Sequence, residues 1–302
     1  NFRCDFFDCV RALRGILTTT AFIMVLFSAI AHAIWNLLLK TGKEKEVFIW
    51  LVQVVIVILF LPLALFLAIR HPIEIQGWLF IIGTGIIHAF YFLYLSRAYH
   101  YGDVSEVYPI ARGIGPALVP ILGVLLLGES VSFQAILGIF TVTLGIFMVY
   151  WSGTMKDLIM HPITMFKKPS IRYAMAIGII ISVYSIWDKI GVKYTTGFLY
   201  MYLMALGTGI FLFPYIFKTK TMNAITTEWS MNWKAISAVG ILTFFAYGLV
   251  LTALEISKVS YVWPTREVSI LVVVILGRLF LKESVTIRRF LGSFLIVVGV
   301  MA

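Results

Sequence analysis

Three charged side chains stand in segments otherwise too apolar to hold them: Arg112 in "VYPIARGIGPALVP", and Arg266 with Glu267 in "SYVWPTREVSILVV". A charge placed in hydrocarbon costs about 2.5–3.5 kcal/mol even on lenient insertion scales, so it faces either a cavity or an opposite charge. Two chemistries follow. Arg112 and Glu267 could form a buried pair that fixes packing. Alternatively, the two arginines receive an anionic group of a small solute while Glu267 balances charge or carries a proton.

Other side chains supply compatible walls. His32 and Asn36, at i and i+4, share a helix face beside Trp35. Tyr184, Trp187 and Asp188 stand at the matching places later in the chain, His88 and Tyr91 share a second face, and Tyr108 and Trp263 each lie about one turn before a charged position. A membrane histidine or tryptophan commonly packs or anchors at an interface. Clustering at equivalent places leaves the packing and binding readings level, so this set forms the candidate substrate-binding residues. Catalytic signatures are missing: there is no His-Glu-x-x-His, no Gly-x-Ser-x-Gly, no paired in-membrane aspartates and no Walker A sequence. Cys4 and Cys9, with no companion His, read as no metal site. No cofactor is implied.

The elements that must hold these groups follow from composition. Of 302 residues, 61% are hydrophobic and 13% charged, far from soluble norms. A bilayer crossing needs about 20 apolar residues, and ten such stretches are present: 18–39, 47–69, 78–99, 104–127, 131–151, 171–190, 196–217, 233–254, 259–281 and 285–302. The first mimics a signal peptide through Ala31-His32-Ala33, but its apolar run continues to Leu39.

An internal repeat organises the spans. "GDVSEVYPIAR" from Gly102 aligns with "SKVSYVWPTRE" from Ser257, Glu129-Ser130-Val131 with Glu283-Ser284-Val285, Gly138 with Gly292, and Gly145 with Gly299. Upstream, Ile34-Trp35-Asn36 aligns with Ile186-Trp187-Asp188. The expected organisation is an N-terminal extension over 1–17, native or appended, a five-helix repeat over 18–151, a linker over 152–170 and a second repeat over 171–302. Five is odd, so the second unit enters from the opposite side. Inverted repeats place a solute site near the midplane at their interface, beside helices interrupted by Pro or Gly. The interrupted pair is the fourth and ninth spans, and because Pro109, Pro116 and Pro120 withdraw backbone donors, 104–127 reads as a broken helix lining a polar cavity. Arg112 and Glu267 occupy equivalent positions, each about 12 Å from an opposite face at 1.5 Å per residue, and come within reach of one another.

Most of the 24 Lys and Arg residues fall in loops after odd-numbered spans, which puts those loops in the cytoplasm and both termini outside. The net charge of +10 needs no nucleic-acid partner, because basic loops lie against anionic lipid headgroups.

The motifs "HAIWN" (32–36), "HAFYFLYLSRAY" (88–99), "GDVSEVYPIARGIGP" (102–116), "LLGES" (126–130), "SYVWPTRE" (260–267) and "LKES" (281–284) carry a resemblance. From about Thr18 onward the chain resembles the EamA-type branch of the drug/metabolite transporter superfamily. The resemblance implies an all-α integral membrane protein, with ten transmembrane helices as two inverted five-helix repeats, that moves small metabolites by alternating access. It also implies cytoplasmic termini, opposite to the loop count. The expected function is secondary transport of an amino-acid-like, anionic or zwitterionic solute across a bacterial cytoplasmic membrane, with proton coupling through Glu267 as one route. The protein would be no enzyme, and a monomer or homodimer in the lipid bilayer. The alternatives are a flippase for a lipid-linked head group and a non-transporting scaffold.

Overall fold

The computed structural model describes residues 18–39, 41–101, 104–150, 168–281 and 286–301. Cys4, Cys9, most of the linker and Glu283 lie outside the described residues, as do the side chains of Asn36 and Tyr108. The described residues form helices joined by short connections and contain no strand. They are α1 (Thr19–Leu39), α2 (Lys45–Arg70), α3 (Ile75–Tyr101), α4 (Val104–Leu127), α5 (Phe133–Tyr150), α6 (Pro169–Gly191), α7 (Gly197–Thr219), α8 (Met222–Ile256), α9 (Val259–Arg266), α10 (Val268–Leu281) and α11 (Ile287–Met301).

Helix is what these sequences must form in lipid, because it alone satisfies every backbone N–H and C=O within one segment. Six of the helical stretches are long and apolar enough to cross a membrane, and shorter apolar helices cover Thr19–Trp35 and Phe133–Val149. Their outward faces carry Ile58, Phe66, Leu125 and Phe140, all exposed. Such apolar surface is a liability in water and none against hydrocarbon. The protein is an integral multi-pass membrane protein.

Two expectations are corrected. The segment 104–127 is not broken: α4 runs continuously through its three prolines. The interruption expected in the ninth span is present, between α9 and α10. There Glu267 N–H donates to Pro264 O at 3.1 Å, and Ile270 N–H to Glu267 O at 2.9 Å. These i→i−3 bonds tighten one turn, just after Pro264, which has no N–H to donate to Ser260 O. The eighth span also starts earlier than 233. Thr221 caps α8 by accepting Ala224 N–H at 3.2 Å, and buried Glu228 accepts Glu44 N–H at 3.0 Å and the Asn232 amide at 2.8 Å. The first turns of α8 therefore lid the α1–α2 connection.

Helix neighbours come in swapped pairs. With α1, α2, α3, α4 and α5 taken as equivalents of α6, α7, α8, α9–α10 and α11, the α1–α8 contact is matched by α3–α6. The α4–α6 contact is matched by α1 with α9 and α10, and α3–α7 by α2–α8. Glycines show the same swap. Gly145 lies against Gly292 and Gly138 against Gly299, and exchanging the repeats converts one pair into the other. Increasing number on α5 meets decreasing number on α11, so these equivalent helices run antiparallel. Close approach needs small residues here, since a Cβ on Gly299 would sit 2.5 Å from Gly138 O.

Candidate functional site

Inside the bundle lies a chamber of about 90 Å³. Its polar wall comprises His32 (α1), Gln53 (α2), His88 (α3), Arg112 (α4) and Arg266 (α9), and its aromatic wall includes Trp35, Tyr91, Tyr184 and Tyr247.

His32 is the hub. Trp35, one turn on, donates its indole N–H to His32 Nδ1 at 3.0 Å, with the rings edge to face at 4.9 Å. A terminal guanidinium nitrogen of Arg112 lies against His32 Nε2, and Nη2 of Arg266 is 3.5 Å from His32 Nδ1. A neutral imidazole accepts at one ring nitrogen only, while donors face both, Trp35 and Arg266 at Nδ1 and Arg112 at Nε2.

Arg112 Nη1 pairs with Glu267 Oε1 at 3.3 Å, and Glu267 is buried with no hydrogen-bond partner for Oε2 among the described residues. Arg266 is 6% exposed, and its Nε and Nη1 likewise lack partners there. Aromatic faces hold it instead, with Trp263 at 5.1 Å and Tyr247 at 5.2 Å. Two guanidinium groups face one carboxylate. Each buried donor left unmet costs about 1–3 kcal/mol, and an entering anion would recover it.

Of the residues expected to form a site, His32, Trp35, His88, Tyr91, Arg112 and Arg266 border the chamber. Trp187 packs elsewhere, donating to Phe80 O at 2.8 Å. Trp263 is buried beneath Arg266, and Glu267 sits behind Arg112. Asp188 is fully buried behind the wall, where Tyr247 OH donates to Oδ2 at 2.6 Å and Tyr200 OH to Oδ1 at 2.9 Å. Gln53 and Tyr247 went unrecognised in the sequence. Gln53 had a legible signal, as a polar amide inside "WLVQVVIV". Among the described residues no His, Cys, Asp and Glu cluster is arranged to hold a metal.

The two ends of the bundle differ. Toward the α1–α2 connection the chamber adjoins a polar vestibule of about 710 Å³, sharing Leu39 and Ile49 as wall. In it Lys220 bridges Glu44 at 2.7 Å and Glu46 at 3.1 Å, and Glu46 also accepts from Ser96 at 2.5 Å and Tyr215 at 3.0 Å. Burial works against the Lys220 ammonium, but its hydrogen bonds to Glu44 and Glu46 outweigh it and hold the pKa above its ordinary value. At the opposite end the two repeats are tied together. Gly128, at φ 65°, ends α4 in the left-handed conformation and turns Glu129 across the bundle. There Glu129 accepts Val259 N–H at 2.9 Å, Ser260 N–H at 3.0 Å and the Ser260 hydroxyl at 2.5 Å. Lys258 closes the same seam by donating to Ser130 O at 2.8 Å.

The sequence model of the EamA-like transporter family matches residues 19–151 and again residues 168–302. One solved structure, described only as "Crystal structure of protein", superposes with a TM-score of 0.72 over 93% of this chain and 95% of that one, at 15% identity. That likeness concerns the fold. No curated protein matches the sequence.

Proposed function

The chain belongs to the EamA-like transporter family, and we propose that within it this protein is a secondary transporter of a small anionic or zwitterionic solute. The chain crosses the bilayer ten times, α9 and α10 together making one crossing, as two inverted five-helix repeats in a bacterial cytoplasmic membrane. The solute's anionic group occupies the space before Arg112 and Arg266, and its body lies against Trp35, Tyr91 and Tyr184. Glu267 is the counter-ion that holds Arg112 until the solute competes for it. Alternating access follows from the unequal ends: an open vestibule on one side and the Glu129 seam on the other.

The observation that supports this most is a buried Arg266 whose Nε and Nη1 have no hydrogen-bond partner among the described residues. A scaffold has no use for it. The test is thermal unfolding of purified protein against a panel of small carboxylates, amino acids and phosphate esters, since a ligand stabilises by RT ln(1 + [L]/Kd). Some anionic members raise the midpoint for the parent and none do so for Arg266→Gln; a panel without effect on the parent overturns the reading.

One observation favours the flippase reading. An apolar groove of about 410 Å³ runs between α2 and α7, and Gln53 borders both this groove and the chamber. A lipid-linked head group could enter there, and a panel response confined to amphiphiles with an acyl chain would select that reading.

A further inference from the structure

Asp188 is a carboxylate with 0% exposure and no ion pair among the described residues. A charge buried without a counter-ion is costly unless hydrogen bonds carry it or a proton removes it. The surroundings provide for both. Tyr200 OH has one hydrogen and two acceptors in reach, Asp188 Oδ1 at 2.9 Å and the Phe80 carbonyl at 3.2 Å. With Asp188 ionised, Tyr200 donates to Oδ1. With a proton on Oδ2, the acid donates to the Tyr247 oxygen while Tyr200 still donates to Oδ1, and with a proton on Oδ1 Tyr200 turns its hydrogen to Phe80 and accepts, so Asp188 stays hydrogen-bonded in every state.

The groups facing Asp188 from the packed helices are few. Thr84 and His88 come from α3, Tyr200 from α7 and Tyr247 from α8, with Tyr184 on its own helix. His88 Nδ1 is 3.0 Å from Thr84 O, which places a hydrogen on Nδ1 whether the ring is neutral or protonated. Arg266 of α9 addresses the Tyr247 ring, Arg112 of α4 addresses His32 and Glu267, and Lys189 reaches the Leu254 and Ser257 carbonyls. No Lys or Arg lies against Asp188 among the described residues. Tyr247 borders the chamber on one side and bonds Asp188 Oδ2 on the other.

We propose that Asp188 is a proton-binding site that exchanges one proton with the chamber through Tyr247, and that its protonation is linked to occupancy of the arginine site. In the transfer, the Tyr247 O–H hydrogen passes to Oδ2 while hydronium in the chamber gives a proton to the Tyr247 oxygen and is left as water. One proton moves from hydronium to carboxylate, and the phenol is regenerated. The linkage rests on the transporter reading, whereas proton binding does not. Coupling thereby moves from Glu267, held in an ion pair, to an acid whose hydrogen bonds suit two states.

The test is infrared difference spectroscopy of the full chain in phosphatidylcholine vesicles, between alkaline and acidic buffer. A protonated-carboxyl band grows on acidification, is lost in Asp188→Asn, persists in Glu267→Gln and returns in Asp188→Glu. Tyr200→Phe keeps the band but shifts its frequency, because the acid has lost a hydrogen-bond partner. A band that survives Asp188→Asn, or is absent from the parent, overturns the site. Should Asp188→Asn fail to fold, an unshifted band in Tyr200→Phe overturns it instead. An intact band without any ligand-induced thermal shift sinks the transporter reading alone, and the reverse pattern sinks the proton site alone.

Discussion

Glu129 and Ser260 meet at 2.5 Å across the two repeats, and the same carboxylate takes the first two N–H groups of α9. A carboxylate on a helix N-terminus is a strong, charge-assisted acceptor, so this contact is suited to holding one end shut. Glu129→Gln keeps the size and loses the charge. With Cys4 and Cys9 replaced by Ser, a Val119→Cys reporter, buried in the parent, should react faster with a membrane-impermeant maleimide when Glu129→Gln is added. About tenfold is expected, equivalent to about 1.4 kcal/mol of the closed state's advantage. Equal rates would mean that the seam does not hold the end shut.

Arg112 and Glu267 separate two roles by opposite signs. Removing one partner of a buried pair costs about 3–5 kcal/mol, so Glu267→Gln lowers the thermal midpoint. Should Glu267 compete with the solute for Arg112, the same variant also tightens binding of an anionic ligand. Titrating a panel compound that stabilises the parent reads both. Lower stability with unchanged affinity would make the pair a packing device. Arg112→Lys keeps the charge but loses the planar fork, so it weakens anion affinity about tenfold, whereas a packing role predicts a loss of stability alone.

Glycines at the α5–α11 contact should resist substitution. A Cβ on Gly299 would meet backbone at 2.5 Å, whereas one on Gly209 would meet the Gln53 Cβ at 3.5 Å, an ordinary contact. Gly299→Ala therefore destabilises by about 1–3 kcal/mol through overpacking, while Gly209→Ala does not. Thermal unfolding of the two variants decides it, and equal midpoints would show that α5 and α11 can part without cost.

Much of this fold was legible because hydrophobic length and internal repetition are local, additive signals. The glycines aligned by offset, Gly138 with Gly292 and Gly145 with Gly299, turn out to exchange partners across α5 and α11. The site was legible where charge was anomalous, at Arg112, Arg266 and Glu267. It was less so where direction around a helix decides. Trp187 and Asp188 are adjacent in sequence, yet one turns its indole to Phe80 and the other its carboxylate to Tyr200 and Tyr247. The interruption of the ninth span was legible, whereas α4 runs unbroken through three prolines. Proline count does not say which freed carbonyl finds a substitute partner.

Orientation gives the last prediction. The vestibule gathers Lys43, Lys45, Arg97 and Lys220 against Glu44 and Glu46, so the open end is the one with surplus positive charge. Positive loops face the cytoplasm, whereas the family resemblance implied cytoplasmic termini and hence the reverse. The loop charges of this chain are the direct observation, so the vestibule should open to the cytoplasm. Ser96→Cys, in the background lacking Cys4 and Cys9, places a thiol in the vestibule wall beside Glu46. An impermeant maleimide should label it in inside-out membrane vesicles and not in intact cells. Labelling only in intact cells would reverse the orientation and leave the chamber, the arginines and the Glu129 seam in place, with the open end facing outward.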